Sequence, residues 1–331
     1  MRAYAKWTYR MAILLISVSF GCSVYFAYRV NQIDLGAKLQ HFMEKPKYHL
    51  VMINQEGITP YWSQIQSGAD KAAKELDAVI EYVVPVHAAA QDLSMVEMAV
   101  ASKVDGIIMQ GFNEKEFTPA INKAVDSGIP VITIDTDAPG SKRIAFVGTD
   151  NFLAGRRAAK EIVKDTNGSA KVGILTGSFS ISNQTLRVAG FLDGIKDTPG
   201  IEVVAVEETS INSNLATEKA YKILKEHPDV TVFFGTGSLD GVGAAEVANN
   251  AERPGERIKV YAFDDLPETM ELIKQKRIDA TFVQRPFSMG EESVRIMVEF
   301  LKGKKTLTVY NTDIKTIRET DIASYNPEEQ G

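Results

Sequence analysis

The sequence predicts two α/β lobes, each built on a doubly wound parallel sheet, joined by a three-strand hinge and preceded by one N-terminal transmembrane or signal helix. Three observations predict this. The chain has 331 residues, more than one hydrophobic core usually organises, so two lobes are expected. Short apolar runs alternate with helical patterns from His49 onward, and the same alternation restarts after Asn151. An uncharged run from Met11 to Tyr28 precedes both.

That run, MAILLISVSFGCSVYFAY, follows Arg2, Lys6 and Arg10 and is closed by Arg29. As a helix it would extend about 27 Å, close to the hydrocarbon thickness of a bilayer. Positive charge ahead of the run keeps the N-terminus inside and sends the rest across. An uncleaved signal anchor (residues 1–30) is favoured over its two competitors. Ordinary cleavage and secretion would need a small-residue site, which Tyr25-Phe26-Ala27 does not offer. Lipidation at Cys22 would need a lipobox; Gly21 fits one, but Ser19 stands where Leu is usual. All three fates export the folded part to the extracytoplasmic face of the cell membrane. Residues 31–46 read as a polar stalk.

The first lobe is expected from residues 47–149 plus 285–311. HLVMIN, VIEYVV, GIIM and VITID read as strands, separated by helices over Tyr61–Asp77, Leu93–Ser102 and Phe117–Asp126. Near-continuous apolar strands joined by crossover helices imply a parallel sheet covered on both faces. AFVGTDN leads across to the second lobe, residues 150–284 plus 312–325. There KVGIL, IEVVAV, VTVFF and IKVYAF alternate with helices beginning near Leu153, Gln184, Ala216, Gly241 and Glu268. A strand near Ala280–Gln284, a helix over Met289–Leu301 and extended segments to Ile317 exceed what one lobe needs. The tail is therefore expected to cross back, giving connections near Thr149, Arg285 and Asn311.

Composition excludes several functions. The net charge is −6 with no basic block beyond the leader, which argues against nucleic acid. The one cysteine, Cys22, cannot form a disulfide or a zinc cluster within the chain. No GxSxG, P-loop, HExxH or CxxC motif occurs, and His41, His49, His87 and His227 lack metal-ligand spacing. Neither catalysis nor a cofactor is expected.

Ligands of open parallel sheets sit beyond the carboxyl ends of the strands. Those ends carry Tyr61 and Trp62, Gln110, and Asp135, Thr136 and Asp137 in the first lobe, and the crossover carries Thr149, Asp150 and Asn151. In the second they carry Ser182, Asn183 and Arg187; Ile211 and Asn212; GTGSLD with Gly237 and Asp240; Asp264 and Asp265; and Gln284. Amide, carboxylate and guanidinium groups pair with hydroxyls that both donate and accept, and flat aromatic rings cover the C–H face of a sugar. Singly, each has a plainer reading: Trp62 as packing, Asp135 as a turn residue, Arg187 as a surface ion pair, Asp137 and Asp265 as supporting partners. Their coincidence at one sheet edge favours a polyhydroxylated ligand.

TPYWSQIQSGADKAAKEL, VDGIIMQG, GIPVITIDTDAP, FVGTDNFLAGRRAA, LRVAGFLDGI, HPDVTVFFGTG, VYAFDD and ATFVQRPFSMG together resemble the periplasmic sugar-binding proteins of ABC importers. The group resembled is that of the ribose-binding proteins, with the type I periplasmic-binding fold, and the likeness spans about Tyr48 to Ile317. It implies a monosaccharide, pentose or hexose, held between Tyr61 and Trp62 and bonded by Asp135, Arg187, Asp264 and Gln284, with Gln110, Thr149 and Ile211 lining. Thr136 stands where ribose binders carry Arg, and Gly237 where they carry Asn, with Asp240 one turn later as a substitute. The implied partner is an ABC permease; a membrane sensor kinase is the alternative, because an uncleaved anchor can report occupancy.

Overall fold

The structure is a computed structural model that describes residues 2–32, 46–54, 59–84, 93–251 and 257–326. The chain forms two units, Met1–Lys47 and Tyr48–Gly331. In the first, α1 spans Arg2–Gln32 and carries exposed Leu14, Ile16 and Phe20. Among the described residues no helix is long and apolar enough to cross a membrane. The side chains of Ala12 and Ala27, inside the uncharged run, lie outside the described set, and so does most of the expected stalk.

The second unit holds two six-stranded sheets of the same strand order, β11-β5-β4-β3-β1-β2 and β12-β10-β9-β8-β6-β7. In lobe 1 the strands are β1 Tyr48–Ile53, β2 Ala78–Val83, β3 Gly106–Met109, β4 Val131–Ile134, β5 Ala145–Thr149 and β11 Val309–Thr312. Its helices are α2 Pro60–Leu76, α3 Ser94–Ala101, α4 Glu114–Asp126 and α10 Pro286–Leu301. Lobe 2 contains β6 Ala170–Thr176, β7 Ile201–Glu208, β8 Val232–Gly235, β9 Lys259–Phe263, β10 Ala280–Val283 and β12 Lys315–Ile317. Packed on them are α5 Asn151–Asp165, α6 Ser182–Ile195, α7 Ser213–Glu226, α8 Asp240–Asn250 and α9 Pro267–Lys274.

Strand alternation buries both faces of each sheet. In β1, Leu50 and Met52 join a core with α2 and α10, while Val51 and Ile53 join one with α3 and α4. In lobe 2, Phe233 packs towards α7 and α8, and Val232 and Phe234 towards α5 and α6. Each lobe also contains a very close helix crossing. A Cβ on Gly68 would lie 2.0 Å from the Phe287 carbonyl oxygen, and one on Gly290 1.9 Å from that of Ile65, which clamps α2 to α10. Gly155 and Gly190 do the same for α5 and α6, each 2.0 Å from the facing carbonyl oxygen.

Three helices begin earlier than apolar periodicity indicates, because polar caps rather than core residues set their first turns. Asn113 caps α4 by accepting from Lys115 N (3.1 Å), so that helix starts three residues ahead of Phe117. Asp150 caps α5 through Leu153 N (2.8 Å), and Asn212 caps α7 through Leu215 N (3.0 Å).

Three segments connect the lobes: β5 into α5, β10 into α10, and β11 into β12. Their directions explain the single departure from an all-parallel arrangement among the described residues. β5 and β11 both lead out of lobe 1 and pair parallel. β10 leads out of lobe 2 whereas β12 leads into it, and these two pair antiparallel.

Candidate ligand-binding site between the lobes

The matched topology places β4 of lobe 1 and β9 of lobe 2 in equivalent positions. Each is followed directly by an aspartate with left-handed backbone, Asp135 at φ 64° and Asp264 at φ 63°. Among the described residues, four of the eight non-glycine residues with positive φ follow helix C-termini, where this conformation is a common cap. The other four, Asp135, Ser210, Ile211 and Asp264, stand at carboxyl ends of strands. Such strain persists where surrounding structure holds it, commonly at ligand sites.

In lobe 1, Asp135 is 5 % exposed and accepts three side-chain hydrogen bonds. Tyr61 Oη donates to Oδ1 (2.7 Å), while Gln110 Nε2 (3.0 Å) and Thr136 Oγ1 (2.9 Å) donate to Oδ2. Tyr61 opens α2, whose first turn is set by Pro60 and by Thr59 accepting from Trp62 N. Thr149, buried at the end of β5, has a hydroxyl oxygen without a hydrogen-bond partner.

In lobe 2, Arg187 is 2 % exposed. Its guanidinium carbon lies 3.7 Å from the ring centroid of Phe263, the last residue of β9. Nε donates to Asn151 Oδ1 (2.8 Å) and Nη1 to the Thr236 carbonyl (2.7 Å), but Nη2 has no partner. Asn151 is aligned in turn by donating to the Thr149 carbonyl (3.1 Å), which ties the arginine to the hinge. Gln284, at the end of β10, donates through Nε2 to Asp264 Oδ1 (2.9 Å) while its Oε1 is buried and unpaired. Asn183 Oδ1 is a third such atom.

The two halves share one electrostatic field. Burial pushes the Asp264 carboxyl up to about 6, with Arg187 and Gln284 pulling it down and Asp135 adding repulsion. Burial also lowers the Arg187 guanidinium from its ordinary value, opposed by Asp264 and Asp135. The Tyr61 hydroxyl is raised well above its ordinary range by burial and by both carboxylates, against Arg187. Across the cleft, Asn183 Nδ2 donates to Thr136 Oγ1 (3.2 Å), Ser182 Oγ to the Asp137 carbonyl (3.4 Å), and Ile181 packs against the α3/α4 core. The lobes therefore meet in a closed arrangement.

Some expected site residues do other work. Asp137 is bound by Arg143, whose Nη2 donates to Oδ2 (2.6 Å) and whose Nε donates to Oδ1; Thr133 Oγ1 also donates to Oδ1 (2.7 Å). Its carboxylate is thereby turned into the body of lobe 1. Asp240, expected to stand in for the residue missing at Gly237, is fully buried. It accepts from Thr209 Oγ1 (2.6 Å) and from Gly237 N (2.7 Å), and so fastens two loops of lobe 2 to each other. Burial raises its carboxyl above the ordinary range. Trp62 belongs to the core of lobe 1 and meets Tyr61 edge-on at 6.2 Å. Ile211 is half-buried against the loop at Gly177, and Asp265 accepts from Tyr325 Oη (2.6 Å).

Sequence reading passed over Phe263 and Gln184. The first was legible only as the last apolar residue of a strand. The second accepts from Thr236 Oγ1 (2.7 Å) and holds the turn after β8, a role without a local motif. Among the described residues no group of three or more His, Cys, Asp or Glu side chains is placed to hold a metal ion. The arrangement is suited to binding through hydrogen bonds.

Comparison with known proteins agrees with this fold. The family described as periplasmic binding protein domain matches residues 50–305. A glucose-galactose binding protein from Geobacillus stearothermophilus, GanP, superposes with a TM-score of 0.80 at 46% identity, covering 83% of this chain and 98% of that one. A chain of the XylFII-LytSN complex gives a TM-score of 0.77 at 37% identity, covering 83% and 99%. The ribose import binding protein RbsB of Bacillus subtilis is 26% identical over 256 residues, 77% of this chain and 82% of that protein. The chain thus belongs to the periplasmic binding protein family, in its ribose-binding group of sugar-binding proteins rather than enzymes.

Proposed function

We propose that this member of the periplasmic binding protein family takes one monosaccharide, a pentose or hexose, between its lobes and presents it to an ABC importer from the extracytoplasmic face of the membrane. One observation carries the reading. Three buried atoms at the lobe 2 side of the cleft, Arg187 Nη2, Gln284 Oε1 and Asn183 Oδ1, lack partners. A buried polar group left unpaired costs about 1–3 kcal/mol, and sugar hydroxyls, which donate and accept, relieve one donor and two acceptors together. A ligand touching both lobes favours the closed state by its differential affinity.

The uncharged run expected to be an anchor suggests a second reading, a tethered sensor. α1 carries the uncharged run Met11–Tyr28, about 27 Å as a helix, and one similar chain occurs in a complex with a second protein, LytSN. On this reading the closed lobes dock on a membrane kinase instead of a permease.

Calorimetric titration of the protein from Lys47 onward with D-glucose, D-galactose, D-xylose, D-arabinose, D-ribose and D-allose tests the site. One or more should bind with a 1:1 stoichiometry. A flat response to all of them, from protein that melts cooperatively, would refute the monosaccharide reading.

A further inference from the structure

The first turn of α6 is the part of lobe 2 that enters lobe 1. From it we infer that Asn183 is a specificity-determining residue: it fastens the closed lobes through Thr136 and, by the same contact, offers the ligand a fixed acceptor. The inference rests on the monosaccharide reading above.

The hydrogen-bond network itself fixes the orientation of the Asn183 amide. Thr136 Oγ1 carries one proton, which it donates to Asp135 Oδ2 at 2.9 Å. The Asp135 carboxylate only accepts, so the Thr136 oxygen has only acceptor capacity left. The Asn183 atom 3.2 Å away must then be the amide nitrogen. This leaves Oδ1 pointing elsewhere, buried and without a partner, on a residue only 8 % exposed.

Four residues along α6, on the same face of the helix, Arg187 presents the unpaired donor Nη2. An acceptor and a donor one turn apart match two neighbouring ring hydroxyls, one donating to Asn183 and the other accepting from Arg187. Thr136 therefore acts on selectivity through Asn183. Ser182 and Ile181 fix the same turn against lobe 1, so closure and recognition are made by consecutive residues.

The test uses the full-length protein, the tightest-binding sugar of the panel above and that sugar's monodeoxy derivatives. Wild type should lose affinity for each derivative that lacks a bonded hydroxyl. In Asn183→Ala the parent sugar should bind about tenfold more weakly, and one particular derivative should now bind as well as the parent, because its missing hydroxyl no longer has a partner. Thr136→Val, which removes the acceptor that orients the amide, should flatten the same derivative's penalty, and Thr136→Ser should restore it. These two variants report on the contact even where Asn183→Ala folds poorly. Equal losses for parent and all derivatives in both Asn183→Ala and Thr136→Val would mean that the contact is only structural and would overturn the inference while leaving the sugar reading intact. Absence of binding by wild type would overturn both.

Discussion

In lobe 1 the carboxylate that follows β4 is already provided for: Asp135 accepts from Tyr61, Gln110 and Thr136. At the equivalent place in lobe 2, Asp264 takes a side-chain bond from Gln284, beside a guanidinium with one free nitrogen and an amide with one free oxygen. Two halves of one sheet plan thus differ in how complete they are. Apart from the unpaired Thr149 hydroxyl, lobe 1 offers a pre-organised surface, while lobe 2 holds several buried groups whose hydrogen bonds remain to be made. Ligand affinity should therefore depend most on lobe 2, and stability of the free protein most on lobe 1.

Arg187→Ala would break that contrast most severely. Removing the guanidinium takes the donors from Asn151 Oδ1 and the Thr236 carbonyl and leaves Asp264 buried without its neighbouring cation. The expected loss of sugar affinity is about 2–4 kcal/mol, measured by calorimetry. Wild-type affinity in this variant would mean that the cleft is not the site.

Asp135→Ala should instead be felt first without ligand. Three buried or partly buried donors lose their acceptor, and the free protein should be destabilised by about 1–3 kcal/mol, read from urea unfolding. Gln284→Met, which deletes an unpaired oxygen together with one hydrogen bond, should cost less stability than Asp135→Ala while still weakening sugar binding. Similar stability losses in the two variants would erase the distinction between the lobes.

How much of this was legible depends on the range of each interaction. The βα alternation and the two lobes follow from local apolar runs such as GIIM and VITI, fully buried in β3 and β4. The polar residues at strand ends could likewise be picked out, since topology alone brings Gln110, Asp135, Arg187, Asp264 and Gln284 to the cleft. Which oxygens are already taken could not. Asp137 reads like Asp135 in sequence, but Arg143, six residues on, claims its carboxylate. Asp240 reads as a ligand group, yet Thr209, thirty-one residues earlier, and its own turn use both oxygens. The Thr136–Asn183 bond spans forty-seven residues and two lobes, and no pattern along the chain encodes it.

The smallest effect sharpens the contrast in a different variable, pH. Burial holds the Asp264 carboxyl at about 6 in the folded protein, above the ordinary value of about 4 for an unfolded aspartate. The folded state thus binds the extra proton between those values. The resulting contribution to stability is fully present below about pH 4 and is lost as pH rises through about 6. Sugar binding should run the other way, because the ionised carboxylate is the form that accepts a hydroxyl and balances Arg187. Affinity should be flat above pH 7 and about tenfold weaker at pH 5, one unit below the titration point. Asp264→Asn should bind more weakly throughout and lose this pH dependence, and the difference in melting temperature between wild type and variant should shift in favour of wild type as pH falls from 7 to 5. Calorimetry and thermal melts over that range measure both trends. A wild-type affinity that stays constant down to pH 5 would show that the lobe 2 aspartate is as settled in its site as its lobe 1 counterpart, and the proposed division between a finished and an unfinished half-site would fail at its central residue.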